Sequence, residues 1–196
     1  MLHVCSRRAT LGAVERKRTV SISKLLSLAL RHDPSALGVR LDVNGWVEVR
    51  DILQGLAARG AAITFDELQE IVGKNDKQRF ALSSDGTCIR ANQGHSVPVD
   101  LGLVPLEPPA IVYHGTVARF MNAIRRDGLV RGARMFVHLS ADIATAKIVA
   151  GRRRGAAVIL TVRAGEMHGA GHTFYQSENG VWLTASVPSR FLIVPE

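Results

Sequence analysis

The chain has 196 residues, of which 46% are hydrophobic and 21% charged, with a formal net charge of +8 and a sequence pI near 10.3. That size and composition suit one large globular domain or two small ones. They exclude a membrane-spanning chain, because no apolar run is long enough, and at 5% aromatics they argue against a base-stacking platform. The basic excess favours polyanions, with nucleic acid as the leading partner class. Two cysteines, Cys5 and Cys88, make neither a disulfide framework nor a zinc ligand set, so a reducing cytoplasm is expected.

Residues 1–20 read as a disordered basic extension. Ser6-Arg7-Arg8 is superficially similar to a twin-arginine export signal, but Glu15-Arg16-Lys17-Arg18 interrupts the apolar stretch that should follow. The pattern then predicts a helix over Ser23–Arg31, with Ser23 as N-cap and Leu25, Leu26, Ala29 and Leu30 as its apolar face. Asp33-Pro34 should end it, leaving Arg31 and His32 at its C-terminus. Val39–Val49 alternates around Asn44-Gly45, a tight-turn signal.

Asp51–Arg59 reads as a second helix stopped by Gly60. Thr64-Phe65-Asp66-Glu67 is a capping-box pattern opening a third. Arg79–Leu82 and Cys88–Arg90 flank Ser84-Asp85-Gly86 as a hairpin. Three short helices and a hairpin suggest a winged-helix module over 21–100. Pro98, Pro105, Pro108 and Pro109 mark an interdomain linker, with its core at 101–109.

From residue 110 the pattern becomes strand-rich. Ile111-Val112-Tyr113 is an apolar strand leading into His114-Gly115-Thr116. A helix from about Val117 to Arg126, a strand over Phe136–Leu139 and a helix over Ala141–Ala150 follow. Gly151-Arg152-Arg153-Arg154-Gly155 is a basic loop, and Ala157–Val162, Gly180–Val187 and Phe191–Val194 complete the strands. No G-x-G-x-x-G loop follows a strand, so a Rossmann site is unsupported. His168 and His172 are four apart, but the glycines between them argue against a helix that would align them on a metal. No metal site is expected.

Four basic motifs stand out: Arg31-His32-Asp33-Pro34, Lys77-Gln78-Arg79-Phe80, His114-Gly115-Thr116, and Arg134-Met135-Phe136-Val137-His138-Leu139-Ser140. Alone, each fits a bland role: a helix-end pair, a solvated arginine, a chance trio, a core histidine. Three arginines and a histidine also suit a phosphate dianion, because guanidinium forks match phosphate oxygens and stay charged. Glycine after an apolar strand permits close approach of a ligand to backbone.

In this order the motifs resemble the NAD-dependent RNA 2'-phosphotransferase family, over about Ser23 to Pro188. His114-Gly115-Thr116 also resembles the first nicotinamide-site motif of ADP-ribosyltransferases. The resemblance implies an α+β protein with an N-terminal winged-helix-like RNA lobe and a C-terminal ADP-ribosyltransferase-like NAD lobe over 110–196. It assigns Arg31, His32, Arg79 and Arg134 to the reacting phosphate, and His114, Gly115, Thr116, His138, Ser140, Gly151 and Arg153 to NAD. Lys77, Arg90, Gln93 and His95 would line the RNA side. NAD would be consumed as co-substrate without a metal, and the partner would be an RNA carrying an internal 2'-phosphate, bound by a monomer.

Two positions compare with the family pattern. Phe136 stands where relatives often have a second histidine. Val181 matches the hydrophobic residue that replaces the glutamate of most ADP-ribosyltransferases, which favours the RNA enzyme. The competing readings are a mono-ADP-ribosyltransferase acting on nucleic-acid ends or protein, and an NAD-sensing winged-helix DNA-binding regulator.

Overall fold

The computed structural model describes residues 4–74 and 78–195, with residues 4–15 described by their backbone alone. It is a mixed α/β structure with six α-helices and several small antiparallel sheets among the described residues. The chain divides into two compact units, Met1–Asp100 and Leu101–Glu196.

In the first unit, α1 runs Val4–Ala29. The expected start at Ser23 is therefore corrected: the helix carries straight through it. Arg16–Val20 are helical rather than disordered, since no proline interrupts a stretch rich in Ala, Leu, Arg and Lys, all strong helix formers. Arg18 ties this end down, donating from Nη1 to the Glu67 carboxylate and from Nη2 to the Ala62 carbonyl, both at 2.7 Å. Residues 1–3 of the expected extension lie outside the described residues.

Among the residues whose burial is described, α1 buries a face through Ile22, Leu26 and Ala29, continued by Leu30 just past its end. This is the i, i+4, i+7, i+8 stripe of a core-facing helix. The chain then turns through Arg31 and His32 into a 3-10 turn at Pro34–Leu37, capped by the Asp33 side chain. Strand β1 is Val47–Glu48, and α2 is Val49–Ala58. The helix α3, Phe65–Gly73, opens on the full Thr64/Glu67 capping box.

Strands β2 (Phe80–Leu82) and β3 (Cys88–Ala91) form the expected hairpin. β1 joins the opposite edge of β3, pairing Val47 with Ile89, so the sheet order is β1-β3-β2. The turn at Asn44-Gly45 is real but is not a strand hairpin. Asp42 Oδ1 accepts from the Asn44 and Trp46 amides at 2.9 and 2.8 Å, an Asx-type turn that competes with a ladder. Leu26, Leu30, Ile52, Leu56, Leu68 and Ile89 are fully buried. Each contributes roughly 1.5–3 kcal/mol by leaving water.

In the second unit, residues 101–109 carry neither helix nor strand. Strand β4 (Val112–Val117) pairs antiparallel along its whole length with β7 (Ala157–Val162), which also pairs with β11 (Leu192–Ile193). A second sheet has the order β6-β9-β8, from Val137–Leu139, Trp182–Thr184 and Phe174–Gln176. β5 (Leu129–Val130) pairs with β10 (Ser186–Val187).

The helix expected from Val117 instead begins at Met121. β4 runs on through Val117, a 3-10 turn follows, and α4 is Met121–Asp127. α5 is Ile143–Ala150, capped by Asp142, whose carboxylate accepts from the Thr145 amide at 2.7 Å. The short α6, Ala164–Gly169, ends before His172. That histidine instead stacks edge-on against Phe191, with ring centroids 5.6 Å apart.

Candidate active-site clusters

The first unit gathers several of the expected residues around the end of α1. The Arg31 carbonyl accepts from the Ser96 amide at 2.8 Å, and His32 Nδ1 lies 2.9 Å from Ser96 Oγ. The Arg31 guanidinium reaches back to the Arg79 carbonyl at 3.2 Å and lies over the Phe80 ring at 5.9 Å. Gly94 has φ +91°, and a Cβ there would meet Arg31 Nη1 at 3.6 Å. The left-handed backbone that favours glycine thus turns the 93–97 segment around the arginine.

Arg79 immediately precedes β2 and is half-buried. Its carbonyl also accepts from the Asn92 amide at 3.0 Å. Arg90, on β3, stacks its guanidinium 4.5 Å from the centre of the Trp46 ring. Gln93 is half-buried on the same loop. Lys77 lies outside the described residues.

His95, expected to line the RNA side, is buried at 1% exposure. Neither ring nitrogen has a hydrogen-bond partner among the described residues. Burial first, then the charges of Arg31, His32 and Arg90, push its pKa down to about 4. It is a neutral imidazole packed beneath a cationic surface.

In the second unit, the ends of β4 and β6 meet. Tyr113 and Ser140 exchange backbone bonds at 2.8 and 2.7 Å, which brings His114 beside His138. His114 Nδ1 lies 3.0 Å from the His138 carbonyl. A carbonyl only accepts, so Nδ1 carries the proton and Nε2 is left as an acceptor. Burial is the main cause lowering the His114 pKa, with Arg153 and Arg134 adding to it against the raising effect of the His138 carbonyl.

Arg134 is itself lowered from the ordinary arginine value by desolvation, then by Arg153 and Arg152. It remains a cation, since the residue is exposed to solvent and guanidinium does not deprotonate in proteins. Arg153 lies over Phe120 at 5.3 Å, in the loop that Gly151 starts after α5. Thr116 is buried at 5% exposure. Phe136 packs on Tyr175, with ring centroids 5.5 Å apart.

Gly115 has another use than the one expected. A Cβ there would fall 2.0 Å from the Ala146 carbonyl and 2.9 Å from the Ala150 amide. The close approach is made by the backbone of α5, and it seats the helix whose end carries Gly151 and Arg153.

Trp46 and Phe120 complete these clusters, and neither carries a motif signal. The chemistry available is cationic: two groups of arginines with histidines among them, suited to holding anionic oxygens and to neutral imidazole hydrogen bonding.

Residues 17–186 match the family described as RNA 2'-phosphotransferase, Tpt1 / KptA family, and the chain belongs to that family. A relative from Streptomyces griseus, named probable RNA 2'-phosphotransferase, is 52% identical over 188 residues, covering 92% of this chain and 99% of the relative. Relatives of the same name from Pseudomonas aeruginosa and Rhodopirellula baltica are each 51% identical over 180 residues, covering 91% of this chain and 98% and 97% of their own.

Proposed function

We propose that this protein transfers an internal RNA 2'-phosphate to NAD, giving RNA with a 2'-hydroxyl, nicotinamide and ADP-ribose 1'',2''-cyclic phosphate. The observation that carries the reading is the family match over residues 17–186, which spans both cationic clusters. The first unit, with helices and the sheet order β1-β3-β2, is the winged-helix-like RNA lobe over 21–100. Residues 110–196 are the ADP-ribosyltransferase-like NAD lobe, joined through 101–109. The protein acts as a cytoplasmic monomer. No described helix is long and apolar enough to cross a membrane.

In the first step an oxygen of the RNA 2'-phosphate attacks C1'' of the nicotinamide ribose. The glycosidic bond breaks, and its electron pair neutralises the pyridinium, so no general acid is needed. In the second step the neighbouring 2''-hydroxyl attacks phosphorus and the bond to the RNA 2'-oxygen breaks.

Arg31, His32 and Arg79 hold the RNA phosphate. Arg134 stabilises the oxygens on which charge accumulates, as preorganised cations do in phosphoryl transfer. His32 carries the proton released by the attacking 2''-hydroxyl to the departing RNA 2'-oxygen. His114, Thr116, His138, Ser140 and Arg153 hold NAD, with His114 Nε2 accepting from a ribose hydroxyl. Gly115 and Gly151 shape that pocket. Gln93 and Arg90 flank the RNA, and Lys77 is assigned there on the sequence pattern. NAD is a consumed substrate, and the scheme routes no step through a metal.

The test is to incubate the protein with NAD and an RNA bearing one internal 2'-phosphate. Nicotinamide release should match the loss of 2'-phosphate one for one. An RNA product that permanently keeps ADP-ribose would identify a mono-ADP-ribosyltransferase. Tight sequence-specific DNA binding without nicotinamide release would identify a regulator.

A further inference from the structure

In the first unit a groove of about 1000 Å³ runs between α1 and α3 and ends at His32 and Arg79. Along α1 it is lined by Arg16, Val20, Lys24 and Leu28, and just past the helix end by His32. The five are spaced four residues apart, so the four on the helix form one ridge that leads to His32. The ridge alternates cation and apolar side chain until it reaches the histidine. Arg16 and Lys24 are exposed. So are the apolar members, with Val20 49% and Leu28 41% exposed.

The groove holds five arginines and lysines against two carboxylates, Glu67 and Glu70. Both carboxylates are already engaged, Glu67 by Arg18 and Glu70 by Lys74. Among the described residues Lys24 has no carboxylate partner. The surface is therefore an anion track with apolar steps, and one end of it opens at residues assigned to the reacting phosphate.

We infer that this groove binds the single-stranded RNA segment flanking the 2'-phosphate, an inference that rests on the proposed function. Arg16 and Lys24, about 12 Å apart along the helix, face backbone phosphates roughly three to four nucleotides apart, while Val20 and Leu28 offer apolar surface to riboses and base faces. From residue 16 to residue 28 the helix rises about 18 Å. At a stacked spacing of roughly 3.4 Å per nucleotide, that accommodates about five. A duplex is a poorer fit to a groove between two helices than a single strand whose bases can turn toward the apolar steps.

The test uses the full chain and the exposed variants Lys24→Glu and Arg16→Glu, neither of which touches the reacting groups. KM is measured for a 2'-phosphorylated RNA of about ten nucleotides and for a dinucleotide with the same 2'-phosphate. Binding of the unmodified ten-mer is followed in parallel by fluorescence anisotropy over a range of salt.

Each variant should weaken binding of the ten-mer, and raise its KM, about fivefold to tenfold. The dinucleotide KM and both kcat values should stay within twofold. The log–log salt slope should become shallower by about 0.7 for each phosphate that is no longer neutralised. Equal losses on both substrates, or wild-type ten-mer affinity and salt slope in both variants, would overturn the groove as an RNA track. A wild-type protein that binds the ten-mer but removes 2'-phosphate from neither substrate would defeat the proposed reaction. The binding comparison would still decide the groove.

Discussion

Asn92 donates from Nδ2 to the carbonyl of Gln78 at 2.7 Å, and Gln78 is the one non-glycine residue with positive φ among the described residues, at +38°. A left-handed conformation costs an ordinary residue roughly 1–2 kcal/mol, so the bond from a side chain only 7% exposed holds the backbone in place against that cost. The next residue is Arg79. Its carbonyl accepts from the Asn92 amide and from Arg31, so Asn92 and Gln78 together set the spacing of the two arginines.

Asn92→Ala should therefore lower stability by about 1–3 kcal/mol, the usual penalty for breaking a buried polar pair, and should also slow turnover. Asn92→Asp keeps the size but cannot donate, and should do no better than alanine. Urea unfolding and steady-state turnover check both. Wild-type stability and turnover in Asn92→Asp would show that the bond does not position Arg79.

Gly115→Ala should displace α5 or prevent folding, because the new Cβ would meet backbone at 2.0 Å, and such overpacking costs typically 1–3 kcal/mol or more. Thermal unfolding is the measurement. A variant as stable as wild type would contradict the close seating of α5 on β4.

The contrast between these residues and the motifs marks how much is legible in the sequence. The Thr64/Glu67 capping box, the Ser84-Asp85-Gly86 hairpin and the strand Ala157–Val162 carry their signals within a few residues, and each appears at its expected place. The start of α1 is not legible, because Ser23 has the residue type of an N-cap, yet a serine inside a helix can instead bond within it or point outward. The Asn44-Gly45 pattern imitates a strand alternation, and an Asp42 side chain that captures two amides leaves no periodic trace.

The stacking of Arg90 on Trp46 depends on β1 pairing with β3, a pairing between segments distant in the chain that no local pattern encodes. For Gly115 the sequence suggests close approach of a ligand, whereas the group that meets the backbone is helix α5, a contact between distant segments that leaves no local pattern.

Stability should also carry the mark of His95. In the folded protein its pKa is held at about 4, against 6.5 ordinarily. Below pH 6.5 the unfolded chain therefore takes a proton that the folded chain refuses. The group contributes nothing to this dependence above about pH 6.5. It destabilises progressively as the pH falls toward 4, by about 1.4 kcal/mol per pH unit and roughly 3 kcal/mol in all. Urea unfolding of wild type and His95→Phe from pH 7 to 4.5 should show a shallower decline in the variant. Parallel curves would place the histidine in water.

Arg134→Ala should reduce kcat/KM by about 30-fold to several thousandfold, the range for removing one partner of a charge pair that bound substrate desolvates, roughly 2–5 kcal/mol. Arg134→Lys should also be impaired, since a point charge does not replace a two-pronged donor. Steady-state kinetics with NAD binding measured separately checks this. An alanine variant within about twofold of wild type would remove Arg134 from the reaction.

The most direct measurement follows the phosphorus itself. An RNA labelled with radioactive phosphorus only at one internal 2'-phosphate is incubated with the purified protein, with and without NAD, and the products are separated. The label should leave the RNA only when NAD is present and appear in ADP-ribose 1'',2''-cyclic phosphate. Label released as inorganic phosphate, or released without NAD, would contradict the transfer.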